Sequence, residues 1–338
     1  MKKDTILIIG ARGQIGTELT AALRLKFGSE NVIAADKTKA DSDCVELDVL
    51  DTASLKKVVK EFHVTQIYLL AAMLSATGEK NIHEAWKLNV KSLLSVLEIA
   101  KEQQLDKVFW PSSIAVFGPG APRHNCPQDT IIEPKTVYGI SKRTGENWCN
   151  YYFENFGVDV RSLRYPGLIS YTTLPGGGTT DYAVDIFHQA LETQSYTCFL
   201  NEDTCLPMMY MPDAIRATLE LMDAPKEYIK IRTSYNIAGM SFSPCDLVAA
   251  IRQHIPGFRI NYEPDARQAI ANSWPASVSD WCALKDWGWK PAYNLRAMTA
   301  DMLIKLAEIK KLPFKSKTTE QEFFPDYPDN YLFTKHYE

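Results

Sequence analysis

Along the first half of the chain, short apolar runs alternate with longer stretches whose apolar positions recur every three or four residues. TILIIG is followed by QIGTELTAALRLKFG, in which Leu19, Ala22, Leu23 and Phe27 share one helical face. NVIAAD, CVELDV and QIYLLAA each read as a strand covered on both sides. Between the last two, DTASLKKVVKEF carries an aspartate or threonine N-cap and an apolar helical stripe. HEAWKLNVKSLLSVLEIAKEQQ reads as one long helix and KVFWPSS as the next strand. Regular alternation of this kind implies a parallel sheet with helices on both faces.

The pattern changes after VDVRSLRYPG, a sixth strand. LPGGGTTD brings a glycine-rich loop. YAVDIFHQALE and CDLVAAIRQHI look helical and are interspersed with YNIAG, RINYEP and polar turns. The expected fold is therefore α/β, a doubly wound parallel sheet with a smaller, mixed α/β C-terminal lobe. Residues 1–165 form the main body, and segments near 208–222 and 234–239 return to it. Residues 166–312 form the lobe. The aperiodic, aromatic-rich tail 313–338 is expected to pack on the body or on a neighbouring subunit.

Composition narrows the classes. At 338 residues the chain exceeds what one core usually serves. Its 23% charged residues and net charge of −4 give neither a nucleic-acid footprint nor a polybasic membrane patch. No apolar run approaches the roughly 20 residues that span a bilayer. The opening MKKDTILIIGARG leads into a glycine loop rather than a cleavage site, so it reads as a buried strand. Seven scattered cysteines without a C-x-x-C suit a reducing compartment, here the cytoplasm. The six histidines are dispersed, and no metal site is expected.

Candidate chemistry begins at GARGQIG, where Gly10, Gly13 and Gly16 join the first strand to the first helix. Glycines allow a tight turn and close approach to a pyrophosphate, which the helix N-terminus then favours. Asp36 ends the second strand, where a carboxylate accepts hydrogen bonds from ribose hydroxyls and repels a 2′-phosphate; NAD is expected over NADP. Its neighbour Lys37 reads as a surface lysine at the edge of that site. Asp48, followed by Val49, either takes the adenine amino group or enters a helix. Leu70, Ala71 and Ala72 end the fourth strand and let a dinucleotide lie across the sheet.

PSSIAVFGP places Ser112 and Ser113 at the carboxyl edge of the sheet. Tyr138 and Lys142 follow, and on one helix their Cβ atoms lie about 5–6 Å apart. A nearby ammonium favours phenolate over phenol, drawing the pKa down from about 10 towards neutrality. Such a phenolate removes an alcohol proton while hydride leaves the same carbon, with Ser113 holding the oxygen.

The glycine loop, Asp36, Asn89, the Ser-Ser-x-x-Val-Phe-Gly segment and Y-x-x-x-K resemble an extended short-chain dehydrogenase/reductase. LPMMYMPDAIRATLELM and SYNIAG resemble that family's second-half signatures. The resemblance implies Tyr138 as acid/base, Ser113 as polarising hydroxyl and Lys142 as ribose ligand. It places Asn89 near the cofactor, with Gln14, Ile15, Tyr165 and Leu168 completing the NAD-binding set.

Most extended members act on nucleotide sugars and carry R-Y-x-N-x-Y-G-P, which Pro166 and Gly167 displace here. RYPGLIS, PGGGTTDYAV, MSFSP, RQAIANSWP and DWGW instead resemble the family's short-chain L-threonine 3-dehydrogenase branch. That implies NAD-dependent oxidation of the β-hydroxyl of L-threonine to 2-amino-3-oxobutyrate, with epimerase or dehydratase action as the alternative. A small zwitterion would meet Ser75, Ser113, Tyr138 and the loop Gly176–Gly178 with Thr179 and Thr180. Trp274 either closes over it or belongs to the core. Asp181 reads better as a helix N-cap than as an ammonium partner. The resemblance also implies a homodimer through residues 82–103 and 139–156, with Trp148, Tyr152 and Phe156 at helical spacing.

Overall fold

The computed structural model describes residues 4–38, 43–174 and 176–314. The first half carries strands β1 (Ile6–Ile9), β2 (Val32–Asp36), β3 (Cys44–Glu46), β4 (Gln66–Leu69), β5 (Lys107–Phe109) and β6 (Ser112–Ser113). Three more follow: β7 (Val160–Arg161), β8 (Leu163–Tyr165) and β9 (Gly167–Ile169). Helices α1 (Gln14–Phe27), α2 (Thr52–Glu61), α3 (Ser75–Lys80), α4 (Ile82–Trp86), α5 (Ser92–Gln103) and α6 (Val137–Phe156) connect them.

Six strands form one parallel sheet in the order β3-β2-β1-β4-β5-β7. Strand order reverses between β1 and β4, so a crevice opens at their carboxyl ends. Alternation sorts the side chains of β1 between two cores. Ile6 and Ile8 pack with Leu19, Ala22 and Leu23 of α1. Leu7 and Ile9 pack with Leu55 of α2, Val96 of α5 and Cys149 of α6. Both faces are covered, which explains the uninterrupted apolar runs.

The strand breaks after Trp110, whose N–H still donates to Arg161 O at 3.1 Å. Pro111 has no N–H to give a ladder, so β5 stops at Phe109 and resumes as β6. Opposite it, the strand expected across VDVRSLRYPG divides into β7 and β8 around Ser162.

Beyond β9 come α7 (Tyr182–Glu192), β10 (Ser195–Cys198), β11 (Leu206–Tyr210), α8 (Met211–Asp223), β12 (Tyr235–Asn236) and β13 (Met240–Phe242). Then follow α9 (Pro244–His254), β14 (Arg259–Tyr262), α10 (Arg267–Asn272), α11 (Trp281–Trp287) and α12 (Leu295–Lys310). β12 joins β8 and β6 in parallel, so residues 235–236 extend the main body. The 208–222 segment is shared: β11 pairs with β9 and β13 in a separate sheet, whereas α8 packs its Ala214 and Ile215 into the α1 core. A third core gathers Phe187 of α7, Leu247 of α9, Met302 of α12 and Trp274.

Two expectations change. The long helix over 83–104 is interrupted by a π-helical turn at Lys87–Lys91. Of the three apolar residues offered as a dimer face, Tyr152 belongs to its own core and bonds Glu98, while Phe156 is exposed. Of the tail 313–338, to which the packing expectation applies, residues 315–338 lie outside the described residues. Among the described residues no helix is long and apolar enough to cross a membrane.

Candidate active site

Two cavities share Leu70 and Ala72 along the carboxyl edge of the sheet. The wider, about 570 Å³, brings together Gly10, Gly13, Asp36, Lys37, Asp48, Val49, Leu70, Ala71 and Ala72. At Gly10, φ is +88° and an added Cβ would stand 2.7 Å from Ala71 N; at Gly16 it would meet Gly10 O at 2.1 Å. Only glycine lets α1 start so close to β1 and β4. Gly13 occupies the N-cap of α1 without a side-chain cap, leaving first-turn N–H groups for an anion.

The Asp36 carboxylate is fixed by accepting from Arg12 N (3.0 Å) and Lys37 N (2.8 Å). Lys37 Nζ lies 3.3 Å from Asp48 Oδ2, and Asp48 Oδ1 accepts from Leu50 N at 2.9 Å. Asp48 therefore shapes the turn into α2 while its side chain borders the cleft. Arg12, Thr38, Met73 and Leu88 also line it and were not singled out. Arg12 stands inside the glycine loop, a position that could have flagged it.

Asn89, expected beside the cofactor, lines neither cavity. Its amide is spent on Met73, accepting from the N–H (2.8 Å) and donating to the carbonyl (3.0 Å), and it also donates to Ser141 Oγ (3.1 Å). It lies in the π-helical turn and ties the chain after β4 to α6. Such turns mark functional sites often enough to make this one informative.

The smaller cavity, about 150 Å³, is lined by Gln14, Ile15, Ser75, Ser113, Tyr138, Lys142, Tyr165, Leu168, Gly178, Thr179, Thr180 and Trp274. Pro111, Ser112, Ile114, Pro166 and Asp181 complete it. α6 begins at a Thr136 N-cap accepting from Gly139 N at 3.0 Å, which sets Tyr138 in its first turn and Lys142 one turn on. Tyr138 bonds Ser113, and Ser113 Oγ caps the following turn by accepting from Ala115 N (3.2 Å).

Lys142 is buried, donates to Pro111 O, and lies 4.4 Å from the Trp110 ring centroid and 5.5 Å from that of Tyr138. The expected acidification of the phenol is absent from this arrangement. Burial pushes Tyr138 up to about 12, with the Ser113 bond pulling the other way. Burial likewise brings Lys142 down to about 7, opposed by Cys149 and Glu146. The ammonium is committed to a carbonyl and an indole face, so desolvation outweighs attraction.

The glycine loop also differs from expectation. Gly177 and Gly178 give their N–H groups to Asp181 Oδ2 at 2.7 and 2.6 Å, so neither is free for a carboxylate. Asp181 sits at the N-cap position of α7 without capping it. It faces the cavity, and burial raises its pKa despite both loop bonds. Thr179 Oγ1 is buried without a hydrogen-bond partner, a polar atom waiting for one. Tyr165 turns its hydroxyl away, towards Thr218 and Ala214 O. Trp274 is both cavity wall and core residue.

A dinucleotide crevice at the strand-order reversal, running into a Ser-Tyr-Lys cavity, defines an extended short-chain dehydrogenase/reductase. The chain belongs to the NAD dependent epimerase/dehydratase family, whose model matches residues 6–238. It is similar to a solved partial consensus L-threonine 3-dehydrogenase: 59% identity, TM-score 0.89, covering 90% of this chain and 99% of that one. The holo form of a GalE-like L-threonine dehydrogenase from Cupriavidus necator is 58% identical, with TM-score 0.88, covering 89% and 99% of the two chains. A curated relative from Staphylococcus saprophyticus, described as an uncharacterized epimerase/dehydratase, is 46% identical over 90% of this chain and 96% of its own.

Proposed function

We propose that the protein oxidises L-threonine at its β-hydroxyl with NAD+, yielding 2-amino-3-oxobutyrate. The observation that carries this reading is the lining of the chemical cavity. Beside Tyr138 and Ser113 stand the buried, unpartnered Thr179 hydroxyl, the Asp181 carboxylate and the Trp274 ring, a polar anchor, a charge partner and a cover suited to a small zwitterion. The solved L-threonine dehydrogenases at 58–59% identity support it.

The residues present fit NAD. Gly10, Gly13 and Gly16 admit the pyrophosphate, Asp36 receives ribose hydroxyls, and Lys142 and Tyr138 meet the nicotinamide end. When bound, oxidised NAD supplies the hydride acceptor and a positive charge beside Tyr138. Ser113 holds the β-oxygen and its hydrogen bond stabilises the phenolate; Tyr138 takes the hydroxyl proton as the β-carbon hydrogen leaves as hydride. The Thr179 hydroxyl and Ser75 hold the polar end of the amino acid, and Asp181 is the carboxylate on this wall for its ammonium. Trp274 excludes water.

We further propose that residues 1–165, with 208–222 and 234–239, hold the nucleotide while 166–312 supply most substrate contacts. The exposed Ile82, Trp86, Ile140, Tyr151 and Phe156 offer a face for a second copy, and sedimentation as monomer alone would remove that assembly. The free cysteines suit the cytoplasm. The functional test is direct: pure protein with NAD+ and L-threonine accumulates NADH. A flat trace, with turnover of a UDP- or GDP-sugar, would assign it to the epimerases instead.

A further inference from the structure

One turn beyond Lys142 on α6 stands Glu146, paired with Arg164 of β8, and neither lines the cavity. Their side chains are 0% and 2% exposed. Arg164 Nε donates to Glu146 Oε1 at 2.8 Å and one terminal nitrogen to Oε2 at 2.9 Å, a two-pronged pair. The other terminal nitrogen donates to Gln128 O (3.2 Å) and Asn236 Oδ1 (3.0 Å). Glu146 Oε1 also accepts from Ser112 Oγ at 2.7 Å. Desolvating two charges offsets most of their attraction, so a buried pair is a poor source of stability. Its location is the informative feature. It joins the helix carrying Tyr138 and Lys142, the residue before Ser113, and the strand leading to Tyr165 and Leu168.

We propose that Glu146 and Arg164 are positioning residues for proton transfer: the pair locks Ser113 in register with α6, and Arg164 offsets most of the Glu146 charge that would otherwise draw on Lys142 behind Tyr138. This rests on Tyr138 being the base. The remaining ionisable groups around that helix face differ in kind. Cys149, on the same helix, is held protonated by burial. Arg143 approaches Glu146 at 3.5 Å from the half-exposed side. Glu79 of α3 is exposed and accepts from Val137 N, and Asp181 lies across the cavity.

The test is the pH dependence of kcat/KM in charge variants. Glu146→Gln leaves the permanently charged Arg164 unbalanced, lowers the pKa of both Tyr138 and Lys142, and moves both limbs about one pH unit towards acid. Arg164→Gln moves them towards alkali, by less where Glu146 takes up a proton. The double variant returns the profile close to wild type. Arg164→Lys and Ser112→Ala keep both charges and lower kcat without moving the profile, and they decide the matter if a charge variant fails to fold. Titrating the Tyr138 phenol in the NAD+ complex, by difference against Tyr138→Phe, reads the same shifts without substrate. A wild type that does not oxidise threonine overturns the functional reading and leaves these shifts in place. Unmoved titrations in both single charge variants, or moved ones in the charge-preserving pair, overturn the proposal.

Discussion

The two cavities on the sheet edge are built on opposite principles. The nucleotide cleft is wide, its walls are backbone, glycine and small side chains, and its charges stand in solvent: Lys37 is 75% exposed and Asp48 40%. The chemical cavity is a quarter of that volume, and its ionisable groups are buried and displaced from their ordinary pKa values. A wide cleft holds a long ligand by many screened contacts, so single losses are modest. In the smaller, more desolvated cavity, a single atom decides the outcome.

Substitutions in each region can break that contrast. Tyr138→Phe removes one oxygen from the smaller cavity and should lower kcat/KM by about 10³, within the range of general acid–base catalysis, while NAD+ affinity changes less than about threefold. Equal losses of NAD+ binding and turnover would instead make Tyr138 a cofactor residue. Asp36→Asn, in the open cleft, should weaken NAD+ by about tenfold at unchanged KM for threonine, the loss of charge on one acceptor. A simultaneous gain for NADP+ would sharpen the assignment of the ribose end.

Thr179→Val should raise the threonine KM by about fivefold with NAD+ binding untouched, since only one hydrogen bond is forgone. An unchanged KM would leave that buried hydroxyl without a partner even in the complex. A last effect concerns stability without ligand. Below about pH 7, Lys142 is charged in folded and unfolded chains alike, and its burial penalty is fully present. Between about 7 and the ordinary 10.5, the unfolded chain keeps a proton that the folded one has released, so the wild type gains stability as pH rises. Any thermal advantage of Lys142→Met should therefore shrink across that window in melts of the cofactor-free protein.

The same contrast separates what the sequence could reveal from what it could not. The cleft was legible because its chemistry is local. Gly10, Gly13 and Gly16 fall in one loop and Asp36 at the next strand end, so periodicity and spacing locate them. Lys142 and Tyr138 were placed correctly on one helix face, but the electrostatic balance was not. Trp110 and Pro111, which claim the ammonium, come from the break between β5 and β6 some thirty residues earlier, and no local pattern encodes that contact. Asn89 is a parallel case, because its partners Met73 and Ser141 lie on either side of it in sequence and no local pattern pairs them. The reach of Asp181 back to Gly177 and Gly178 is local, yet an acid immediately before a helix reads at least as well as a cap.

The late arrival of β12 has a consequence for synthesis. Tyr235 pairs with Leu163, and in between the chain must build much of the second lobe. Until then β8 presents an unsatisfied edge, and such edges invite pairing with other chains. Nascent or truncated polypeptides ending near residue 200 should thus depend on chaperones, and ribosome pausing before Asn236 would be costlier than pausing after it.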